Sequence, residues 1–138
     1  MTERSNTPKT WFITGTSSGF GRALTDTLLA RGDRVAATLR TVNALDSLKL
    51  RYAERLWVSP LDVTDSDRVR FVMNRAFAEL GRIDVVVSNA GFGTFGAAEE
   101  LTDDQIRQQI ETNLVGSIQV IRAALPHQIG RASCRERV

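Results

Sequence analysis

Hydrophobic residues in this chain are grouped into four short continuous runs, separated by longer stretches with helical spacing. The runs are TWFIT at 10–14, RVAATL at 34–39, RLWVSPL at 55–61 and DVVVSN at 84–89. Short apolar runs rich in Val and Ile are typical of parallel strands, because such strands are covered on both faces. The pattern therefore predicts four buried parallel strands.

The segments between these runs have the periodicity of amphipathic helices. A first helix follows the first run and ends near Gly32, and a weaker helix covers roughly residues 42–54. A third begins near Thr64 or Asp65, either of which can cap it, and ends near Gly81. The apolar stripe predicted for the first helix is Phe20, Ala23, Leu24, Thr27 and Leu28. The stripe of the third is Val69, Val72, Met73, Ala76, Phe77 and Leu80.

A long last helix is predicted from Thr102 to Leu125, ending before Pro126 because proline has no N–H for the helical ladder. Asn113 falls on the predicted inner face, and a buried amide without partners costs about 1–3 kcal/mol. We therefore expect Asn113 to have an assigned partner. The predicted buried stripe is Ile106, Ile110, Leu114, Ser117, Ile118 and Ile121.

This alternation of strands and helices predicts an α/β fold, a Rossmann-type doubly wound parallel sheet that is truncated after the fourth strand and the following long helix. Residues 1–8 are interpreted as a polar leader and residues 9–127 as one incomplete domain. No apolar run has the 18 or more residues that a membrane-spanning helix needs.

Charge and composition exclude several functions. The formal charge is +2, and it comes from the last ten residues, so acids and bases balance in the remaining chain. A neutral body argues against a nucleic-acid or membrane-surface partner. The single Cys excludes an internal disulfide and fits a reducing compartment, so a cytoplasmic protein is expected. The one histidine, His127, has no cluster with metal-ligand spacing around it, so no metal is expected.

A glycine loop joins the first predicted strand to the first helix. The segment TGTSSGFG places Gly15, Gly19 and Gly21 where a chain would pass closely beneath a pyrophosphate, and the helix N-terminus beyond offers free N–H groups. Ser17 and Ser18 add hydroxyl donors. The alternative is a glycine turn that only packs helix against strand.

Four motifs in order make this chain resemble the short-chain dehydrogenase/reductase family over residues 9–127. They are TGTSSGFG, LDV at 61–63, SNAG at 88–91 and ETNLVG at 111–116. Within the family the chain is most similar to hydroxysteroid- and retinol-dehydrogenase-like enzymes. The resemblance implies an NAD(P)-dependent oxidoreductase acting on a small alcohol or carbonyl substrate. The cofactor residues that it implies, with the glycine loop included, are Gly15, Ser17, Ser18, Gly19, Phe20, Gly21, Asp62, Val63, Asn89, Ala90 and Gly91.

Individual roles follow from the resemblance, and each has an alternative. Asp62 would accept a hydrogen bond from the adenine amine beside Val63, or it could be a structural turn residue. Asn113 would hold a water of a Ser–Tyr–Lys–Asn proton relay, or it could bond a neighbouring strand. The family usually has Asn where this chain has Ser88, which weakens one structural hydrogen bond of the pattern but keeps Asn89.

The choice of cofactor depends on the exit of the second strand. An acid there would bind the 2′-hydroxyl of NAD, but Asp33 precedes the strand and Arg40 follows it. A guanidinium can grip the 2′-phosphate of NADP with a charge-assisted fork. We therefore expect NADP(H) to be preferred over NAD(H). The alternative is that Arg40 is only a solvated loop residue.

The acid/base chemistry of the family has no counterpart in this chain. The family uses a Tyr four residues before a Lys, with a Ser upstream, whereas Tyr52 is the single tyrosine and has no Lys four positions on. We therefore expect an N-terminal fragment that is itself inactive. Two further readings stay open: a non-catalytic nucleotide-sensing module, and an artefactual truncation.

The last residues support the truncation. IGRASCRERV, residues 129–138, equals the translation of the reverse strand of a common sequencing adapter, in which a stop codon comes next. We therefore interpret residues 128–138 as adapter-derived. Genomic DNA past codon 127 is expected to encode the missing Ser and Tyr-x-x-x-Lys, and a natural stop soon after that codon would contradict this interpretation.

Overall fold

The computed structural model describes residues 7–135, and side chains as far as residue 129. Most of the predicted leader and the last three residues of the tail lie outside this part. The strands are β1 (Thr10–Thr14), β2 (Arg34–Leu39), β3 (Leu56–Pro60) and β4 (Val85–Val87). The α-helices are α1 (Gly19–Arg31), α2 (Asp46–Tyr52), α3 (Ser66–Leu80), α4 (Asp103–Ile110) and α5 (Gly116–Arg135). Short 3-10 turns cover Val42–Leu45, Ala53–Arg55 and Ala98–Glu100, and a π-helical turn covers Glu111–Val115.

The four strands form one parallel sheet in the order β3-β2-β1-β4. In register, Trp11 lies opposite Val35 of β2 and Val85 of β4, and Val35 lies opposite Leu56 of β3. The predicted α/β fold with a Rossmann-type parallel sheet is therefore confirmed. Because β1 is paired on both sides, by β2 and β4, the loop that follows it lies between the ends of other strands at the carboxyl edge of the sheet.

Each face of the sheet is covered by its own hydrophobic cluster, as the alternation of side chains along a strand requires. On one face, Phe12 and Ala36 pack against α3 and α5. On the other, Ile13 and Ala37 pack against α1 and α2. These four residues are completely buried, so the continuous apolar runs are explained by helices on both sides.

The stripe predicted for α3 is confirmed in its phase, because Val69, Val72, Met73 and Ala76 are buried. Asp65 rather than Thr64 caps the helix, and its carboxylate accepts the Arg68 N–H at 3.0 Å. The stripe predicted for α1 is confirmed at Leu24 and Leu28, which pack in the core, and is wrong at Phe20, Ala23 and Thr27. Phe20 is 90% exposed, while the buried residues are Gly21, Thr25, Leu28 and Leu29. The close approach of Gly21 to the glycine loop decides which face of α1 meets the sheet.

The single long helix predicted after β4 is also wrong. It is divided into α4 and α5 by the π-helical turn, which accommodates an extra residue and rotates the two parts relative to an ideal α-helix. The large aliphatic residues of the predicted buried stripe face outwards on both sides of this turn, and Gly116, Val120 and Ala124 face the core. We call the outward row the apolar ridge. It consists of Ile106, Ile110, Leu114, Ile118, Ile121, Leu125 and Ile129, each 42–59% exposed.

The helix does not stop before Pro126, which lies inside α5. A proline removes one hydrogen bond of the ladder, but contacts on its far side hold α5 against α3. The His127 ring stacks on Phe77 with ring centroids 4.2 Å apart, and its Nε2 lies 2.8 Å from Oδ1 of Asn74. Over the described part of the chain, no helix has the length and apolarity to cross a membrane.

Asp33 has a structural role at the opposite edge of the sheet. It is 4% exposed and accepts hydrogen bonds from the Lys9 backbone N–H, the Trp11 indole and the Arg31 guanidinium. Burial raises the pKa of this carboxyl, but the three donors outweigh burial and leave the pKa below its ordinary value. Asp33 therefore ties β1 to the start of β2, away from the strand ends where α/β folds bind ligands.

Candidate functional site

A cleft of about 720 Å³ opens at the carboxyl ends of the strands. The residues predicted from the sequence to hold the dinucleotide, except Gly21, all line it. These are Gly15, Ser17, Ser18, Gly19, Phe20, Arg40, Asp62, Val63, Asn89, Ala90 and Gly91. The further lining residues are Leu39, Leu61, Thr64, Phe92, Gln108, Glu111 and Thr112. The geometry thus brings together groups from the exits of all four strands and from the start of the π-helical turn.

The glycine loop has a backbone that other residues would rarely adopt. Gly15 and Gly19 have φ of 72° and 59°, in the left-handed region that favours glycine. A Cβ on Gly15 would lie 2.8 Å from the Cα of Ala90, so this glycine also permits the loop after β4 to approach. A Cβ on Gly19 would meet no protein atom within 4 Å. The loop thus leaves open space beside its backbone, as a phosphate cradle requires.

The N-terminus of α1 is not capped by the protein. Ser18 occupies the N-cap position, yet its side chain makes no capping hydrogen bond. The first N–H groups of the helix therefore carry the partial positive charge of the helix dipole without a side-chain acceptor. An anion such as a pyrophosphate fits this position electrostatically.

Asn89 and Thr14 join the glycine loop to the exit of β4. The Thr14 hydroxyl accepts hydrogen bonds from the backbone N–H groups of Asn89 and Ala90, both at 3.0 Å. The Asn89 side-chain amide donates to the carbonyl oxygens of Thr14 and Gly15 at 3.1 and 3.0 Å. Thr14 is completely buried. These bonds fix the two central loops of the cleft relative to each other.

Asp62 and Arg40 form the charged part of the cleft. The Asp62 carboxylate accepts the backbone N–H and the hydroxyl of Thr64 at 3.0 and 2.7 Å. These two bonds, helped by the nearby Arg40 guanidinium, lower the pKa of Asp62 although burial opposes them. Asp62 is therefore an ionised acceptor at neutral pH. Arg40 is exposed, and no salt bridge to another residue of the described range engages its guanidinium.

Asn113 is exposed rather than buried, so that expectation is wrong, but its amide has a defined partner. Its Oδ1 accepts the Phe92 N–H at 2.9 Å, and its Nδ2 donates to the Phe92 carbonyl at 2.7 Å. A Cβ on Gly91 would lie 3.0 Å from the same Oδ1. The Asn113 side chain therefore holds the backbone of the loop after β4. The alternative role predicted for it, a hydrogen bond to a neighbouring strand, is replaced by these bonds to the loop.

Three residues that line or support the cleft were not assigned a cofactor role from the sequence. Thr14 was visible only as the residue before a glycine, and its double acceptor role needs the pairing of β1 with β4. Glu111 and Thr112 belong to the ETNLVG motif and line the cleft at the start of the π-helical turn. Within the part of the chain that the structure describes, no three His, Cys, Asp or Glu side chains come together as a metal site.

A parallel sheet with a glycine loop and a free helix N-terminus at its carboxyl edge defines a Rossmann-type nucleotide-binding fold. Residues 9–135 match the family model described as short chain dehydrogenase. This chain belongs to the short-chain dehydrogenase family.

Three relatives illustrate the match. The chain is 40% identical over 119 residues to the oxidoreductase BOA17 of Botryotinia fuckeliana, covering 86% of this chain and 43% of that protein. A short-chain dehydrogenase from Streptomyces avermitilis has a TM-score of 0.87 and 42% identity, over 91% of this chain and 46% of that one. An alcohol dehydrogenase from Thermococcus sibiricus, complexed with 5-hydroxy-NADP, has a TM-score of 0.83 and 30% identity, over 88% and 54%. The chain therefore spans about half the length of these relatives.

Proposed function

We propose that this chain is the cofactor-binding part of an NADP(H)-dependent oxidoreductase that interconverts an alcohol and a carbonyl compound by hydride transfer. One observation carries the proposal: a single cleft combines an uncapped helix N-terminus, an ionised Asp62 and an exposed Arg40. These three features match, in order, a pyrophosphate, an adenine amine and a 2′-phosphate. When bound, the nicotinamide supplies or accepts the hydride.

Different residues of the cleft would bind different parts of the dinucleotide. Backbone N–H groups at the start of α1, with the hydroxyls of Ser17 and Ser18, would bind the pyrophosphate. Asp62 would accept from the adenine amine, with Val63 beside it. Arg40 would bind the 2′-phosphate. On the other side of the cleft, the loop from Asn89 to Gly91, which the amide of Asn113 supports, would line the nicotinamide half. The relative bound to 5-hydroxy-NADP supports the choice of cofactor class.

The rest of the proposal concerns the whole protein. Asn113 would contribute to a proton relay whose Ser, Tyr and Lys lie in sequence beyond His127. The substrate would be a small alcohol or carbonyl compound of the kind used by hydroxysteroid- or retinol-dehydrogenase-like enzymes, and the protein would be cytoplasmic. In this proposal the 138-residue chain itself binds cofactor without turning over substrate, and the interpretation of residues 128–138 as adapter-derived stays a prediction.

Replacing Arg40 with Ala tests the choice of cofactor. Charge-assisted hydrogen bonds contribute about 1.5–3 kcal/mol, so Arg40→Ala is expected to weaken NADPH binding by roughly 10- to 100-fold. NADH affinity should change less than about twofold, because NADH has no 2′-phosphate to lose a partner. Fluorescence titration of both cofactors against the two proteins measures this difference.

Arg122→Ala is the matched control, since Arg122 is an exposed arginine on α5 that does not line the cleft. It removes the same charge and should leave both affinities unchanged. Equal NADPH affinity in the unsubstituted and Arg40→Ala proteins would refute the assignment of the 2′-phosphate to Arg40. An equal loss of NADPH affinity in the Arg122→Ala protein would show that the loss depends only on the net charge of the protein.

A further inference from the structure

Thr16 lies inside the glycine loop yet is completely buried, and it does not line the cleft. Its backbone N–H and its hydroxyl both donate to the carbonyl oxygen of Thr38, at 3.2 and 3.1 Å. A glycine loop needs small residues for close approach to phosphate, but nothing in that requirement calls for a buried hydroxyl here. The hydroxyl is therefore an additional tie between the loop and the end of β2.

The hydrogen bonds of Thr16 hold the backbone just before Arg40. Thr38 is two residues before Arg40, and the carbonyl of the intervening Leu39 accepts the Leu61 N–H at 2.9 Å. The end of β2 is thus held on one side by the glycine loop and on the other by the chain leaving β3. Arg40 is the first exposed residue beyond both ties. Besides the pairing of β1 with β2, the bonds to the Thr38 carbonyl therefore help to set the position of Arg40 relative to the glycine loop.

The chemistry of NADP explains why the position of Arg40 relative to the glycine loop affects binding. NADP carries its pyrophosphate and its 2′-phosphate on the same adenosine ribose, so the separation of the two anionic groups is restricted. A protein binds both at full strength only if its loop amides and its guanidinium are held at the matching separation. NAD has no 2′-phosphate and does not need that separation.

We propose that Thr16 is a positioning residue for 2′-phosphate selectivity, holding the glycine loop and Arg40 at the separation that NADP(H) requires. This inference rests on the proposed function. It assigns the selectivity to a buried residue that touches neither phosphate, in addition to the exposed arginine that does.

Thr16→Val is the direct test, because it keeps the branched shape and the backbone N–H bond while removing the hydroxyl bond. Loss of one hydrogen bond corresponds to about a three- to tenfold loss of affinity, expected for NADPH. NADH affinity should change less than about twofold, so the ratio of the two affinities falls. Thr16→Ser keeps a hydroxyl, so its ratio of NADPH to NADH affinity should equal that of the unsubstituted chain. Thr16→Ala replaces the valine variant if that protein does not fold, and it should lower the ratio in the same way.

Thr25→Val is the matched control. Thr25 is also completely buried, and its hydroxyl donates to the Gly21 carbonyl at 2.7 Å within α1. Both valine variants should melt at lower temperature than the unsubstituted chain, but only Thr16→Val should lower the ratio of NADPH to NADH affinity. If both valine variants lower the ratio of NADPH to NADH affinity equally, Thr16 only stabilises the fold and has no positioning role.

Arg40→Ala separates this inference from the proposed function. If Arg40→Ala loses selectivity for NADPH and Thr16→Val keeps it, Thr16 has no positioning role while the proposed cofactor stands. If Arg40→Ala also keeps its selectivity, the 2′-phosphate is not bound at Arg40, and the proposed cofactor assignment and this inference both fail. Fluorescence titration of the two cofactors, with thermal melting of every variant, gives all of these outcomes.

Discussion

Gly21→Ala is expected to abolish measurable NADPH binding, a loss of at least about 100-fold, and to lower the free energy of unfolding by about 1–3 kcal/mol. A Cβ at this position would overlap the Gly15 carbonyl oxygen and lie 2.5 Å from Nδ2 of Asn89. Either α1 must move away from the loop, or Asn89 must leave its hydrogen bonds to the Thr14 and Gly15 carbonyls. Both movements displace the uncapped helix N-terminus from the position in which it would meet the pyrophosphate.

Gly81→Ala is the control for the general cost of replacing a glycine. Gly81 follows α3 with φ of 73°, and a Cβ there would meet no atom within 4 Å. Gly81 has ψ of −48°, and a non-glycine residue in such a sparsely populated backbone region costs about 1–3 kcal/mol, so stability should fall while NADPH affinity should not. Urea unfolding and calorimetric titration separate the two effects. A Gly21→Ala protein that binds NADPH as the unsubstituted chain does would show that the packing of α1 on the loop is not needed for the site.

The 138-residue chain is expected to self-associate as its concentration rises. The apolar ridge on α4, the π-helical turn and α5 exposes seven large aliphatic side chains. Contiguous apolar surface of this kind drives association in water. In addition, β4 stands at the end of the strand order and presents an edge without a paired neighbour in the described part of the chain. Sedimentation velocity over a concentration series measures the association.

Charges placed in the ridge should reverse this behaviour. Leu114 and Ile118 are 57% and 46% exposed, so Leu114→Lys with Ile118→Lys is expected to shift the chain towards monomer without a large loss of stability. Leu50→Lys is the control, because Leu50 on α2 is 88% exposed but lies outside the ridge. That variant should associate like the unsubstituted chain. A double-lysine variant that associates as strongly as the unsubstituted chain would contradict the assignment of association to the ridge, and an unsubstituted chain that stays monomeric at every concentration would contradict the association itself.

The strands and the glycine loop could be predicted from the sequence because local signals coincide there with the tertiary environment. Continuous apolar runs predicted strands with helices on both faces. The clusters around Phe12 and Ile13 lie on opposite faces of the sheet, so both sets of alternating side chains have to be apolar. The stripe of α3 was correct for a related reason. A regular helix that begins at a clear cap keeps one phase along its length, so Val69 predicts the inward position of Ala76.

The helices beside the cleft could not be predicted in detail, because tertiary contacts decide their phase. A π-helical turn has no reliable sequence signal, and the packing of α5 on the sheet, which places Val120 in the core and Ile118 at the surface, has none either. The exposure of Phe20 depends on the packing of Gly21 against the loop, which no periodicity reveals. Pro126 lies inside α5, and the next residue, His127, contacts Phe77 on α3, a residue 50 positions earlier in the chain.

Candidate site residues were found where a motif names them, and missed where only topology brings them together. Asp62 and Arg40 come from different strand exits, and their electrostatic interaction depends on β2 pairing with β3. The links from Thr14 to Asn89 and from Thr16 to Thr38 likewise join distant segments. Sequence spacing identified the glycines, while the structure added the buried hydroxyls that hold the loop.

Hydrogen–deuterium exchange of the chain with and without NADPH tests the central claim most directly, namely that the cleft at the carboxyl edge binds this cofactor. Saturating NADPH is expected to slow exchange of the backbone amides in residues 16–22 and 89–92, while amides in the middle of α3 exchange at unchanged rates. The slowing should be absent in the Gly21→Ala protein. A cooperatively folded chain whose glycine-loop amides exchange equally fast with and without NADPH would contradict the account.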